Sequence, residues 1–212
     1  MKEPRKIYVD GQFIGEVPTT DDNQKDMEAA IALMREKGVY RETSREQAIF
    51  RQALAFATTS AYLHRTDLAT VPRNGVSVVP FVVNAAFALE LYLKTLALLH
   101  GNDVRGHDLL ELFDALPTAA HQALLSNFAN SKWPCGITDM VVFRAEIERL
   151  RHSFVEWRYL HEKSRTGEVR FGELIFVMEV LHETCRADTR LRAQSAIPEM
   201  DGCSDLPAAS SV

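Results

Sequence analysis

One long apolar stretch constrains this chain more than any other feature. Residues 76–99 are almost continuously apolar, and a run of this length can cross a bilayer as a helix. The stretch contains Glu90 and Lys94, however, and each charge at the centre of a membrane helix costs about 2.5–3.5 kcal/mol on insertion scales. These two charges are spaced i,i+4, like the ion pairs of soluble helices. We therefore expect the buried core helix of a cytoplasmic protein.

The composition indicates a buried core and no overall attraction for polyanions. Hydrophobic residues make up 46% of the chain and the formal net charge is −5, so any nucleic-acid contact must come from a local patch. The three cysteines, Cys135, Cys185 and Cys203, lie far apart without a CxxC motif. They predict neither a disulfide framework nor a zinc site. The N-terminal residues lack the apolar run of a secretory signal.

The pattern divides the chain into a small N-terminal part, a helical domain and a tail. Asp10-Gly11 separates two short apolar segments and suits a type I′ turn, which predicts a β-hairpin. We expect this hairpin and one helix within residues 1–40, a helical domain over 41–194, and a disordered tail over 195–212. The predicted fold class is mainly α, a helical bundle with a small N-terminal β-hairpin.

Four positions have the residue types that favour the beginning of a helix. A Ser, Thr or Asp side chain there can accept a hydrogen bond from a backbone N–H of the first turn. A Glu or Gln three residues later completes a capping box. The predicted caps are Asp21 with Gln24, Ser44 with Gln47, Asp108 with Glu111, and Thr138.

Residues 139–163 carry the most information about function, and their pattern predicts one long helix. An apolar seam with alternating spacings of four and three predicts the side that is buried in the core. On another side, three arginines seven residues apart would form a row with about 10.5 Å between successive Cα atoms. The apolar seam is Phe143, Ile147, Leu150, Phe154 and Trp157, and the arginine row is Arg144, Arg151 and Arg158.

Two interpretations of the arginine row are open. It can be a solvated face crossed by i,i+4 ion pairs, such as Arg144 with Glu148 and Arg158 with Glu162. Alternatively, the row binds anions, because the guanidinium fork matches the oxygens of a phosphate group. The sequence is compatible with both.

The histidines are further candidates for acid–base chemistry. His161 continues the apolar seam one turn beyond Trp157, as either a buried structural residue or a catalyst. His152 and Glu156 are spaced i,i+4 and can meet on a third side of the helix. His107 directly precedes a predicted helix start, and we interpret it as a residue that positions the turn. No HExxH, P-loop, GxSxG or GxGxxG motif is present, which argues against the common hydrolase and dinucleotide-binding classes.

Three segments resemble parts of a known family of helical proteins. Residues 84–94 (NAAFALELYLK) and 106–112 (GHDLLEL) are similar to the central helices of HEPN-domain proteins. Residues 154–162 (FVEWRYLHE) resemble the Trp-Arg-Tyr helix of one branch of that family. The similarity covers roughly residues 44–191 and leaves residues 1–40 outside. It implies a HEPN-like helical bundle that forms a homodimer.

The resemblance also implies a chemistry. Many HEPN-domain proteins are metal-independent ribonucleases, whose signature is an arginine followed by a histidine after four to six intervening residues. The arginine would stabilise charge on a phosphate while the histidine handles the 2′-hydroxyl proton. Here Arg151-His152 occupies the arginine position, but no histidine follows at the required distance, where Glu156 stands instead. The candidates for the base are Glu156 within one chain and His161 across a dimer interface.

We therefore expect a HEPN-like protein that binds RNA or a nucleotide phosphate. If it is catalytic, it would be a non-standard metal-independent ribonuclease of a bacterial defence or toxin-type system. The alternative is a non-catalytic dimeric adaptor that binds a protein partner, which the acidic net charge and the missing histidine favour. Neither function involves a cofactor, a metal ion or a membrane. The phosphate-binding candidates are Arg144, Arg151, His152 and Arg158, and the catalytic candidates are Arg151, Glu156 and His161.

Overall fold

The chain folds into helices preceded by one small antiparallel sheet, as a computed structural model shows. This architecture confirms the predicted fold class, a mainly α bundle with an N-terminal hairpin. The chain divides into two compact units, Met1–Thr43 and Ser44–Val212. The residues that the structure describes are 3–131, 136–151, 157 and 170–188.

The first unit begins with the predicted hairpin. Strand β1 (Arg5–Val9) pairs antiparallel with strand β2 (Gln12–Val17). The two residues between the strands, Asp10 and Gly11, have φ angles of 50° and 78°. Positive φ at both positions is what a type I′ turn requires, so the prediction of this hairpin is confirmed.

Helix α1 (Asn23–Glu36) completes the first unit and begins one residue later than its cap pattern predicts. Its N-cap is Asp22, whose Oδ1 accepts hydrogen bonds from the backbone N–H groups of Gln24 and Lys25 at 3.0 and 3.3 Å. The prediction of Asp21 as the cap is wrong. Both aspartates meet the residue preference for an N-cap, and the backbone path alone decides between them.

Six α-helices form the described part of the second unit. Short loops and single turns of π and 3₁₀ helix join them. The apolar stretch of the sequence forms one of the six, in agreement with the prediction of a core helix. Their bounds are α2 (Arg45–Leu63), α3 (Val78–Leu99), α4 (Leu109–Asp114), α5 (Thr118–Asn127), α6 (Met140–Arg149) and α7 (Phe171–Ala187).

Helix α3 lies at the centre of this unit. It packs against α2, α4 and α7, and the side chains of Phe81, Leu89 and Tyr92 are fully buried. Among the described residues one helix, Gly75–Leu99, is long and apolar enough to span a membrane, and most of it is buried inside the protein. Its position in the core accounts for its apolar composition.

Among the helix caps of the second unit, the cap of α2 agrees with the prediction and the cap of α6 differs from it. Ser44 and Gln47 form the predicted capping box, in which each side chain is bonded to the backbone N–H of the other residue. The prediction of Thr138 as the cap of α6 is wrong. Asp139 is the cap, because its Oδ1 accepts two backbone N–H groups of the first turn, both at 2.9 Å.

The segment predicted as one helix over residues 139–163 is interrupted near its middle. Helix α6 ends at Arg149, Leu150 is its C-cap, and the N–H of Arg151 bonds to a carbonyl three residues back at 3.1 Å. The carbonyl of Arg151 accepts a hydrogen bond from the backbone N–H of Leu109 at 3.4 Å. The prediction of one continuous helix is wrong, because the backbone leaves the helical hydrogen-bond pattern at Leu150, next to the residue that makes this tertiary contact.

The apolar seam of this segment is buried as predicted. Phe143 and Ile147 are fully buried, and Leu150 and Trp157 are nearly so. Phe154 lies outside the described residues. Since the apolar seam turns one side of α6 towards the core, Arg144 on another side is left partly exposed, with 45% of its side chain accessible.

Among the described residues of the second unit, two histidines are buried in the core. Nδ1 of His182 lies 3.0 Å from the hydroxyl of Tyr92, and its ring stacks on Phe50 with 5.8 Å between the centroids. His64 packs against Phe81 at 5.8 Å. Burial lowers the pKa of both imidazoles below their ordinary value of 6.5, because a low-dielectric interior disfavours the charged form.

Acid is therefore expected to destabilise the protein. As the pH falls below 6.5, the unfolded chain binds protons at histidines that the folded protein keeps neutral, so the free energy of unfolding decreases. Urea unfolding at about pH 7.5 and about pH 5.5 measures the difference. His182→Asn should show a smaller difference, because it keeps an amide near Tyr92 without a titrating group. Equal stability of the unaltered protein at both pH values would contradict the prediction.

Candidate functional site

Arg144, the first member of the arginine row, pairs with the end of α4. Its Nε and Nη2 donate to Oδ1 and Oδ2 of Asp114 at 2.8 and 2.6 Å, a bidentate geometry that gives strong hydrogen bonds. Its predicted i,i+4 partner, Glu148, lies farther away at 4.0 Å. The hydrogen bonds from Arg144 lower the pKa of Asp114 below its usual range. Arg144 therefore joins α6 to α4.

Arg151, the second member, pairs with the beginning of α4. Its Nε donates to Oδ2 of Asp108 at 2.5 Å, and its Nη2 lies 3.6 Å from Oε1 of Glu111. Oδ1 of Asp108 accepts the backbone N–H groups of Leu110 and Glu111, which caps α4 as predicted. Burial acts most strongly on the pKa of Asp108 and would raise it. The hydrogen bonds from Arg151 and the backbone, with the charge of Arg151, lower it overall.

Both described members of the arginine row are thus held by carboxylates of another helix. Asp108, Glu111 and Asp114 follow one another at intervals of three and face the two arginines. These ion pairs join different helices, whereas the first interpretation of the row predicts i,i+4 ion pairs within one helix. A guanidinium has five N–H donors. An arginine that is held by one or two carboxylates can therefore still donate hydrogen bonds to a further anion.

A second group of charges lies in the middle of α3. Glu90 is 1% exposed, and its Oε1 accepts a hydrogen bond from Nζ of Lys94 at 2.7 Å. Nδ1 of His107 lies 3.0 Å from the same oxygen, and the ring N–H must be the donor because a carboxylate only accepts. The side chain of Lys94 is 19% exposed and that of His107 is 68% exposed. The group therefore extends from the core to the surface.

The other carboxylate oxygen of Glu90 has no such partner. Oε2 is buried, and no group among the described residues donates a hydrogen bond to it. A buried polar atom without a partner costs about 1–3 kcal/mol, and more when the group is charged. Such atoms are rare in folded proteins. The unpaired Oε2 of Glu90 therefore opposes the stability of the core.

The loop before α4 brings the two groups of charges together. Gly106 has a φ of 100°, which favours glycine, and the turn at this residue directs the next side chain, His107, to Glu90. His107 and Asp108 are adjacent in the chain, so consecutive residues of this loop hold the partner of Glu90 and the partner of Arg151. We define the loop site as Glu90, Lys94, His107, Asp108 and Arg151.

The loop site can carry out acid–base and anion-binding chemistry. An imidazole that is held at Nδ1 by a carboxylate presents Nε2 for proton transfer. A guanidinium fixed on one edge can bind a phosphate or carboxylate through its remaining donors. Within the described part of the chain, no group of three or more His, Cys, Asp or Glu side chains could hold a metal ion.

The structure separates the candidate residues of the sequence. Arg144 and Arg151 do not share a site, because they pair with opposite ends of α4. Arg151 is part of the loop site, and Arg144 is not. The other candidates, which are His152, Glu156, Arg158 and His161, lie outside the described residues.

Sequence reasoning missed the roles of Glu90, Lys94 and His107. The i,i+4 spacing of the first two is typical of an ordinary ion pair on a soluble helix, and the position of His107 before a helix start is typical of a residue that positions a turn. The signal that could have found them is the position of two charges in the middle of an apolar helix. A charge at a core position needs a polar partner, and His107 is the first histidine after that helix that does not adjoin its end.

No protein-family model, curated protein or solved structure matches this chain. The resemblance to HEPN-domain proteins therefore rests on the three sequence segments, and membership of that family stays a prediction.

Proposed function

We propose that this protein binds RNA or a nucleotide through a phosphate group at the loop site, as a HEPN-like homodimer. The observation that carries the proposal is that one loop holds a residue bonded to each group of charges: His107 is bonded to Glu90, and the next residue, Asp108, is bonded to Arg151. Each is held by a carboxylate on one side, Arg151 by Asp108 and His107 by Glu90. An arginine can stabilise charge on a phosphate group and a histidine can transfer protons, so both residue types suit a phosphate ligand.

Fixed cations suit a phosphate ligand for two reasons. A free arginine side chain loses rotamer entropy when it binds, and the bond to Asp108 has already ordered Arg151. Lys94 adds a third cationic group to the site. Because Asp108 and Glu111 also lie beside the guanidinium, a long polyanion gains little from the site. We therefore expect recognition of a single phosphate group rather than of a strand along its length.

Arg151→Gln is expected to weaken RNA binding by about tenfold or more, because it removes the charge-assisted bonds to the phosphate. Arg144→Gln is the matched control, since both arginines pair with carboxylates of α4 and both are partly exposed, at 37% and 45%. We expect the control to bind RNA like the unaltered protein. Fluorescence anisotropy with a labelled pool of random RNA oligonucleotides, at low and moderate salt, measures the affinities.

The melting temperatures of both variants are measured as well, to separate a loss of binding from a loss of stability. If the two arginines only join helices, Arg151→Gln and Arg144→Gln will have similar melting temperatures and equal RNA binding, which contradicts the proposal. If Arg151→Gln alone loses binding while its melting temperature matches that of the control, the proposal is supported. If the unaltered protein binds neither the RNA pool nor a labelled nucleotide, the proposal is refuted as well.

The alternative function is a non-catalytic adaptor that binds a protein partner. Two observations favour it. The carboxylates of Asp108, Glu111 and Asp114 outnumber the two arginines that face them. Helix α6 also exposes apolar surface at Val141, which is 79% accessible. Both proposed functions involve a cytoplasmic homodimer, so dimerisation does not separate them, whereas the RNA-binding measurement does.

A further inference from the structure

The segment that joins α2 to α3, residues 64–77, contains the only Asn-Gly pair of the sequence, Asn74-Gly75. Residues 71–76 are all exposed, so water and buffer ions reach this pair. The side-chain amide of an asparagine can react with the backbone nitrogen of the next residue. Glycine hinders that nitrogen least, because it has no Cβ.

The side chain of Asn74 is already turned towards the backbone that follows it. Its Oδ1 accepts a hydrogen bond from the backbone N–H of Val76 at 3.2 Å, so the side-chain amide lies alongside the backbone of Gly75. A donor at a carbonyl oxygen stabilises the negative charge that develops there when a nucleophile attacks the carbon. The N–H of Val76 is placed to stabilise such a charge on Oδ1.

The backbone nitrogen of Gly75 is available as that nucleophile. Asn74 is the N-cap of the 3₁₀ turn Gly75–Ser77, and the first N–H groups of a helix have no partner within it. Among the described residues, no hydrogen bond has the N–H of Gly75 as its donor. A base in the solvent can therefore remove this proton without breaking a hydrogen bond of the protein.

We propose that Asn74 is a site of spontaneous modification, which deamidates in the folded protein through attack by the backbone nitrogen of Gly75. A base from the solvent removes the proton of the Gly75 N–H, and the nitrogen forms a bond to Cγ of Asn74. The bond from Cγ to Nδ2 breaks, Nδ2 takes a proton from water and leaves as ammonia, and a succinimide ring closes. Water then opens the ring at either carbonyl and leaves aspartate or isoaspartate at position 74. The reaction requires no ligand, metal ion or cofactor, so it is independent of the proposed function.

The modification changes the charge at the centre of this segment. The carboxylate of Asp67 accepts hydrogen bonds from the hydroxyls of Ser77 and Thr66 and, at 3.4 Å, from Nδ2 of Asn74. These hydrogen bonds lower the pKa of Asp67 below its usual range, so the group is charged at neutral pH. Aspartate or isoaspartate at position 74 puts a second carboxylate where Nδ2 now donates, and like charges this close repel. Deamidation should therefore loosen the segment that leads into the core helix α3.

Gly75→Ala separates the reaction from the structure. The φ of Gly75 is not in the positive region, and among the described residues a Cβ here would meet no atom within 4 Å beyond its chain neighbours. Alanine therefore fits this backbone without strain, while its methyl group hinders the attacking nitrogen. We expect Gly75→Ala to keep the melting temperature of the unaltered protein. Its deamidation at Asn74 should be slower by about tenfold or more, the change that a small increase in an activation barrier produces.

Peptide mass mapping after several days in mildly alkaline buffer measures the reaction. A synthetic peptide of residues 70–80 gives the rate without the fold. Asn102 is the internal control, because it is exposed but is followed by Asp103, whose side chain hinders attack. Deamidation of Asn74 in the folded protein at the rate of the peptide or faster supports the proposal, and a slower reaction than in the peptide overturns it. Equal rates at Asn74 and Asn102, or equal rates in Gly75→Ala and the unaltered protein, also overturn it.

Asn74→Asp tests the consequence for the segment. This variant carries one product of the reaction, and we expect its melting temperature to fall by about 2–4 °C. In an Asp67→Asn background the same change should cost less, because the carboxylate that repels position 74 is gone. The same fall in both backgrounds would overturn the inferred repulsion by Asp67.

Discussion

Phe143→Ala is expected to lower the free energy of unfolding by about 3–5 kcal/mol. Phe143 is completely buried, and its ring contacts the rings of Phe113, Phe128 and Phe176 with centroid distances of 5.8, 5.1 and 6.5 Å. These neighbours come from three different parts of the second unit. Truncation would leave a cavity that none of them can fill by a local shift.

Urea unfolding of Phe143→Ala measures this loss, and Val141→Ala is the control on the same helix. Val141 is 79% exposed, so its truncation removes little buried surface and should change stability by less than about 0.5 kcal/mol. A loss below about 1.5 kcal/mol for Phe143→Ala would mean that the aromatic cluster can collapse around the missing ring. It would contradict the well-packed core described here.

Lys94→Met is expected to destabilise the protein by about 3 kcal/mol. The change removes the ammonium group that lies 2.7 Å from Oε1 of Glu90, a carboxylate whose Oε2 has no donor among the described residues. A buried charge that loses a partner costs much more than an exposed one. Lys25→Met is the control, because Lys25 is 73% exposed and its ion pair with Asp22 should contribute less than about 1 kcal/mol.

The double variant with Glu90→Leu and Lys94→Met gives the second half of this test. Replacing a buried ion pair with apolar residues of similar size is often neutral for stability. We therefore expect the double variant to recover most of the stability that Lys94→Met loses. If the double variant is no more stable than Lys94→Met, the bond between Glu90 and His107 contributes more to stability than expected, because it holds the loop.

Local chemistry was sufficient for much of the fold. The turn at Asp10 and Gly11 needs positive φ angles, and few residue pairs other than Asp-Gly adopt them readily. The capping box of Ser44 and Gln47 likewise involves only groups within one turn. Because these features depend on neighbouring residues, the sequence was enough to locate them.

The predictions that failed depend on tertiary contacts or on a choice between adjacent residues. Helix α6 ends where the N–H of Leu109 reaches the carbonyl of Arg151, and no pattern within residues 139–163 indicates this contact. The predicted caps, Asp21 and Thr138, each lie one residue before the observed caps, Asp22 and Asp139. In both cases the side chain of the preceding residue can also cap a helix.

The candidate site was only partly predictable for the same reason. Arg151 was recognised from its type and spacing, but its partner Asp108 lies 43 residues earlier in the chain. His107 was noticed and given a structural role, because its contact with Glu90 depends on the path of the loop through Gly106. Periodicity indicates which side of a helix is buried, and it does not indicate which distant side chain a buried charge will meet.

The two oxygens of Asp108 serve different structures, and this limits how the position can evolve. Oδ1 caps α4 and Oδ2 holds Arg151. Ser, Thr or Asn could replace Asp108 as the cap of α4, but none of them has a charged oxygen that could bond to the guanidinium of Arg151. Glu offers the charge but is not among the residues preferred at an N-cap. In related sequences that keep this contact, position 108 should remain Asp, whereas ordinary N-cap positions vary among Ser, Thr, Asn and Asp. Where position 108 does change, position 151 should change as well.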